Sequence, residues 1–191
     1  MFRLISEITV IIAATVVVVL KIPDYKEYKH AETAWKLTEG LQSAELHDYV
    51  VESCDTLFPI MKNNIRFLFA YGQSLNKTGN YEKSDSILKI GAEKSSDPMF
   101  WNVMGNNSMA MGRYREAEER YKHAFYMVPN RLYPLYLMAK LSITEGDTVR
   151  FLEMADRVES FIPKVESFNT ERLRSEIREL KTGYLSLTVN E

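Results

Sequence analysis

Glycine, tyrosine and proline recur along this chain at one spacing. Gly72 and Gly105, Gly79 and Gly112, and Tyr81 and Tyr114 each lie 33 residues apart, while Gly112 and Gly146, like Pro129 and Pro163, lie 34 apart. A fixed period in this range implies one supersecondary unit repeated, each copy too small to bury its apolar face alone and therefore stacked on its neighbours. The clearest unit runs from Pro98 to Arg131. Trp101, Met104 and Gly105 mark a first helix, Gly112 and Tyr114 a turn, and Ala117, Tyr121 and Ala124 a second helix that Pro129 closes. Small against large is the packing logic: Gly105, Ala117 and Ala124 let two helices approach, and Tyr121 fills the space between them. Gly112 supplies the conformation that stops the first helix, and Pro129 blocks continuation of the second.

The preceding unit, 65–97, places Ser84, Leu88 and Gly91 where Ala117, Tyr121 and Ala124 stand. The following unit, 132–165, keeps Gly146 and Pro163 but has Ala139 for the first-helix glycine, with Phe151 and Ala155 in the places of a small and a large residue. That exchange conserves volume and reads as repacking. Residues 28–64 form a degenerate first unit, with Trp35 on its first helix and Pro59 closing it. Residues 168–183 form a polar cap, with Thr170 as N-cap, Ser175, Glu176 and Arg178 on a polar face and Gly183 at the end. Residues 184–191 read as a flexible tail. The pattern of Trp, Gly, Tyr, Ala, Tyr, Ala and Pro resembles the tetratricopeptide-repeat (TPR) family. The resemblance implies an all-α, right-handed helical solenoid of three clear repeats and one degenerate repeat over residues 28–183.

The amino-terminal segment differs in kind. Ile8 to Leu20 is a run of 13 uncharged residues, and Leu4 to Ile22 extends it to 19 while including Ser6, Glu7 and Lys21. As a helix that length spans about 28 Å, close to the hydrocarbon thickness of a bilayer. Residues 1–24 are therefore expected to be a single transmembrane anchor ending at Pro23, with Tyr25 and Tyr28 at the interface and the membrane engaged through residues 4–22. A cleaved signal peptide would need an A-x-A type site, which VVVVLKIPDY lacks. A buried core helix or strand is the remaining alternative. Lys21, Lys26 and Lys29 after the run, against Arg3 before it, weigh towards a cytoplasmic solenoid; the membrane face stays open.

Composition excludes several functions. With 24 basic and 26 acidic residues interspersed, net charge −2, the chain has no electrostatic footprint for nucleic acid. Cys54 is the only cysteine, and His30, His47 and His123 are scattered without metal-ligand spacing, so no metal or cofactor is expected. Neither a phosphate-binding glycine loop, nor G-x-S-x-G, nor C-x-x-C, nor H-E-x-x-H occurs. Glu118 with Glu119, and Glu153 with Asp156, read as solvated helix faces, His123 as a surface or groove-edge residue, and Cys54 as a small core residue. The expectation is a binding protein without catalytic residues.

The stretches KNNIRFLFAYGQSL, NYEKSDSIL, SSDPMFWNVMGN, YMVPNRLYPLYLMAKL and GDTVRFLEMADRV resemble the C-terminal TPR region, with the last membrane helix, of O-antigen ligase and polymerase family membrane proteins of Bacteroidota. That resemblance implies a bacterial inner-membrane location and service to cell-envelope glycan assembly. It carries no catalytic residue onto this sequence. Alternatives are that the chain is the terminal part of a glycan-transferring enzyme whose chemistry lies elsewhere, or a free-standing chaperone or secretion adaptor.

The TPR resemblance also implies a concave groove lined by first helices. Its groove positions fall on Arg66, Phe69, Gln73, Asn76 and Lys77, then on Met99, Asn102, Asn106, Met109 and Ala110, then on Tyr133, Tyr136, Lys140, Ile143 and Thr144. Amides, tyrosines and cations suit an extended protein or peptide partner and a carboxylate, whereas Met109 and Ile143 could equally pack between units. The carboxylate clamp of chaperone-binding TPRs is matched only by Asn106 and Lys140.

Overall fold

A computed structural model describes residues 24–164 and 167–188. Every regular element among them is a helix. Helices α1 (24–43) and α2 (His47–Met61) form the first pair, α3 (Ile65–Lys77) and α4 (Tyr81–Ala92) the second. The third pair is α5 (Met99–Ala110) and α6 (Tyr114–Met127), and the fourth is α7 (Tyr133–Thr144) and α8 (Thr148–Ser160). Helix α9 (Phe168–Thr188) closes the stack. Within each of the later pairs the two helices pack on one another. The first helices α3, α5 and α7, and then α9, also touch in succession and so share one face.

The turn inside each pair is set by backbone conformation. Gly79, Gly112 and Gly146 have φ of 80°, 72° and 73°, the left-handed region that a side chain disfavours. At the same place in the first pair Glu45 adopts φ 60°, which is why no glycine marks that turn in the sequence.

The repeat packs as its residue types dictate. A Cβ on Gly72 would fall 2.4 Å from Leu88 Cγ, and one on Gly105 would fall 2.2 Å from Tyr121 Cε1, so each glycine is the flat surface on which the large second-helix residue lies. Between pairs, Gly91 receives the Phe100 ring in the same way, at 2.1 Å to Cε1. In the fourth pair Ala139, Phe151 and Ala155 are all fully buried, and Phe151 continues outward to meet Tyr184 of α9 at 5.1 Å between ring centroids. The small and large positions have traded places without leaving either exposed.

Most of the ion pairs between successive units run with one polarity. Glu39–Arg66, Asp55–Lys83, Glu82–Arg113, Asp85–Arg120, Asp97–Arg131, Glu118–Arg150 and Asp156–Lys181 each set an acid on the earlier unit against a base on the next. The exposed pairs among these contribute about 0 to 1 kcal/mol apiece, so their common direction bears more on the order of stacking than on stability, whereas Asp85–Arg120 is largely buried. Glu118, read from sequence as part of a solvated face, is half-buried between Lys122 and Arg150.

Other boundaries differ from those read in the sequence. Pro59 lies inside the last turns of α2 instead of beyond them. Ser167 Oγ accepts from the Thr170 N–H and is the cap of α9, while Thr170 is buried one turn in. Helix α9 continues through Gly183 to Thr188, and no left-handed φ ends it at the glycine. Residues 189–191 of the expected tail lie outside the described residues.

The expected inner-membrane location is corrected: no helix among the described residues is long and apolar enough to cross a membrane. The physical reason is charge. Helix α9, at 21 residues, carries Glu171, Arg172, Arg174, Glu176, Arg178, Glu179 and Lys181. Tyr28, expected at a membrane interface, instead packs against the first core cluster and accepts a hydrogen bond from Asn64 Nδ2 at 3.1 Å. The segment expected to be the anchor, 1–24 with its span at 4–22, lies outside the described residues apart from Asp24.

Candidate interaction groove

The first-helix face is built from two different halves. On the amino-terminal half, Arg66 is exposed with Glu39 3.8 Å away, and Lys77 is exposed. Phe69 lies half-buried, edge-on to Phe100 at 5.1 Å. Gln73 accepts from Gln42 Nε2 at 3.0 Å, and Asn76 donates to Asn107 Oδ1 at 2.7 Å. Each donor thus reaches 31 residues ahead onto the next first helix. A cleft of about 290 Å³ opens here beside Trp35, Glu39, Arg66, Phe69, Gln73 and Asp97.

The carboxy-terminal half is already filled by polar contacts. Tyr136 Oη and Lys140 Nζ both donate to Glu176 Oε1 of α9, at 2.7 and 2.9 Å. Tyr133 and Tyr136 stack with ring centroids 6.0 Å apart, and Lys140 Nζ lies 5.9 Å from the Tyr136 ring centre. Burial pushes the Glu176 carboxyl up, but the Lys140 and Tyr136 hydrogen bonds outweigh it and hold the acid below its ordinary value. The Tyr136 phenol is pushed up, first by burial and then by its bond to that carboxylate.

Two expected groove residues have partners within their own pair. Asn106 accepts the hydroxyl of the fully buried Tyr121 at 2.8 Å, and Asn102 is itself buried with its Nδ2 against Met99 Sδ. Met109 and Ile143 pack against the carboxy-terminal core, the bland alternative raised for them. Met99 is half-buried, Ala110 and Thr144 are exposed, and Thr144 Oγ1 lies near Met109 Sδ. Gln42, Asn107 and Glu176 were missed. Gln42 and Asn76 carry amides 34 residues apart, a signal that the period offered. Glu176 had none, since its direction depends on how α9 docks through Leu173 and Ile177.

Of the other candidates, Cys54 is fully buried and its thiol is pushed up to about 12, by burial first and then by the Asp55 charge. Among the described residues no cluster of His, Cys, Asp or Glu is placed to hold a metal ion.

The paired helices, left-handed turn glycines and shared first-helix face define a TPR-like helical solenoid. No family model matches the chain. A TPR repeat-containing protein of Methanocaldococcus jannaschii is 26% identical over 114 residues, covering 59% of this chain. The chain spans about a fifth (20%) of the length of that curated relative. Among solved structures, MamA of Desulfovibrio magneticus RS-1 superposes with a TM-score of 0.59 at 14% identity, over 66% of this chain and 74% of that one. PilF of Pseudomonas aeruginosa gives 0.59 at 19% identity, over 81% and 72%. These likenesses support a TPR region and show the fold.

Proposed function

We propose that the chain captures an extended, acid-bearing segment of a protein partner along its first-helix face, without catalysing a reaction. The observation that carries this is Glu176. A carboxylate on a neighbouring element is held on this face by a tyrosine hydroxyl and a lysine, so the face has the chemistry to grip a carboxylate. The open amino-terminal half offers Arg66 and Gln73 beside Phe69, with Lys77 exposed further along the same helix. An extended peptide there gains hydrogen bonds from the amides and charge-assisted contacts from the two cations.

The sequence resemblance to O-antigen ligase and polymerase C-terminal regions points to a partner in cell-envelope glycan assembly. It is equally compatible with the chain being the interaction arm of a larger glycan-transferring protein; a chaperone or secretion adaptor is the second reading. Affinity capture tests the site: Arg66→Glu with Lys77→Glu should keep the helical circular dichroism signal and lose the captured partners. If the double variant captures the same partners at the same level, the first-helix face is not the binding surface. If chaperones are captured instead of envelope proteins, the adaptor reading replaces the glycan one.

A further inference from the structure

A second cleft lies on the opposite layer, between the second helices α4 and α6. It measures about 520 Å³, within the range of small-ligand sites, and its floor is Trp101 and Met104 of α5. Trp101 is anomalous within the repeat. The same register position holds Leu68 in the preceding pair and Leu135 in the next, both buried, whereas the larger indole is only half-buried and extends between the outer helices. There it meets the exposed His123 ring, 4.0 Å away between centroids and tilted by 47°.

The rim is acidic. Glu93, Glu116 and Glu119 line the cleft with Lys89 and Arg120. Arg120 is engaged within the chain, since its guanidinium bonds Asp85, Glu116 and the Met104 carbonyl. Arg115 reaches Glu119 from outside at 3.5 Å. Asp85, Glu93, Glu116 and Glu119 against Lys89, Arg115 and Arg120 leave one negative charge in excess, and Glu93 and Glu119 remain exposed to a ligand.

We propose that this cleft binds an arginine side chain of a protein partner, independently of the first-helix face. A guanidinium is planar, stacks on an indole and offers its remaining donors to carboxylates in a fork. Here its aliphatic stem lies along Met104 and Ala92, its plane covers Trp101 where His123 now rests, and its edge turns to Glu93 and Glu119. Lysine offers a point charge without the stacking plane and fits less well.

The probe is a capped Gly-Arg-Gly-Arg-Gly peptide titrated into the full chain, followed by the indole N–H resonances of Trp35 and Trp101. The expected result is a saturable shift of the Trp101 signal alone, at least fivefold weaker with the lysine peptide and absent with the glutamate peptide. Glu93→Gln with Glu119→Gln, both at exposed positions, should weaken arginine-peptide binding at least fivefold while leaving the spectrum otherwise folded. Trp101→Leu, which restores the residue type of the neighbouring repeats, should abolish binding. Equal shifts with the glutamate peptide, or undiminished affinity in the Glu93/Glu119 double variant, would overturn the proposal, and the latter holds even if Trp101→Leu fails to fold.

Discussion

Lys140 donates to Glu176 at 2.9 Å with the base on the earlier element and the acid on the later one, opposite in direction to the other ion pairs between successive units named above. The reversal falls where the repeats end. Helix α9 replaces a further first helix but brings an acid to the face, and that acid engages the lysine and tyrosine that the face presents. Lys140 and Glu176 are 38% and 41% exposed, so solvent screening limits the pair to about 0.5 kcal/mol. The folded carboxyl lies below its unfolded value, so its contribution is present above the ordinary glutamate pKa of 4.5 and is lost as pH falls through the lower folded value. Glu176→Gln should therefore lower the melting temperature slightly at neutral pH, and the difference from the parent should shrink in acid. A difference that grows in acid would mean that the carboxylate is not held in this way.

Gly105 and Gly183 make opposite predictions for one substitution. Gly105→Ala drives a methyl into the Tyr121 ring and should lose about 1 to 3 kcal/mol by overpacking. Gly183→Ala, in helix α9 with open space around it, should gain up to about 1 kcal/mol from helix propensity. Urea denaturation of the two variants checks both signs.

Glu45 stands in the left-handed conformation that glycine occupies in the other three turns. Glu45→Gly relieves the side-chain clash but adds freedom to the unfolded chain, for a net gain of about 0.5 to 1 kcal/mol. The reciprocal Gly112→Ala should lose about 1 kcal/mol. Thermal unfolding of the pair tests whether the first turn shares the geometry of the rest.

Asp85 and Glu82 sit on the same helix and both meet an arginine of the next pair, but only the Asp85 pair is largely buried. Asp85 also accepts from Asn107 Nδ2 at 2.8 Å. Asp85→Ala leaves Arg120 and Asn107 short of a partner and should lose about 3 kcal/mol. Glu82→Ala should leave the unfolding midpoint where it is. Equal effects would show that the Asp85 contacts are not the tie between α4 and α6.

The period made most of the fold legible, because its glycines, alanines and large second-helix residues are local statements about how closely two helices approach. Gly72 with Leu88 and Gly105 with Tyr121 follow directly from that spacing. The turn at Glu45 was not legible, since a non-glycine residue accepts a left-handed φ only when the surrounding pairs fix it. The groove was half legible. Register places Arg66, Gln73 and Lys77 on the first helices, but it cannot say that Asn106 is committed to the Tyr121 hydroxyl or that α9 brings Glu176 to Lys140. Those depend on side-chain partners far away in the chain. The apolar run before Asp24 illustrates another limit: hydropathy described its composition, whereas the amphipathic helices that follow hold their apolar faces against one another.

Photo-cross-linking of the partner from a residue on each layer tests the central claim most directly. A photoreactive side chain at Lys77 on the first-helix face should cross-link the captured protein, and one at Glu52 on α2 should not. Both positions lie away from the Trp101 cleft, so that second site does not confuse the comparison. Cross-links from Glu52 with none from Lys77 would contradict recognition through the first-helix face.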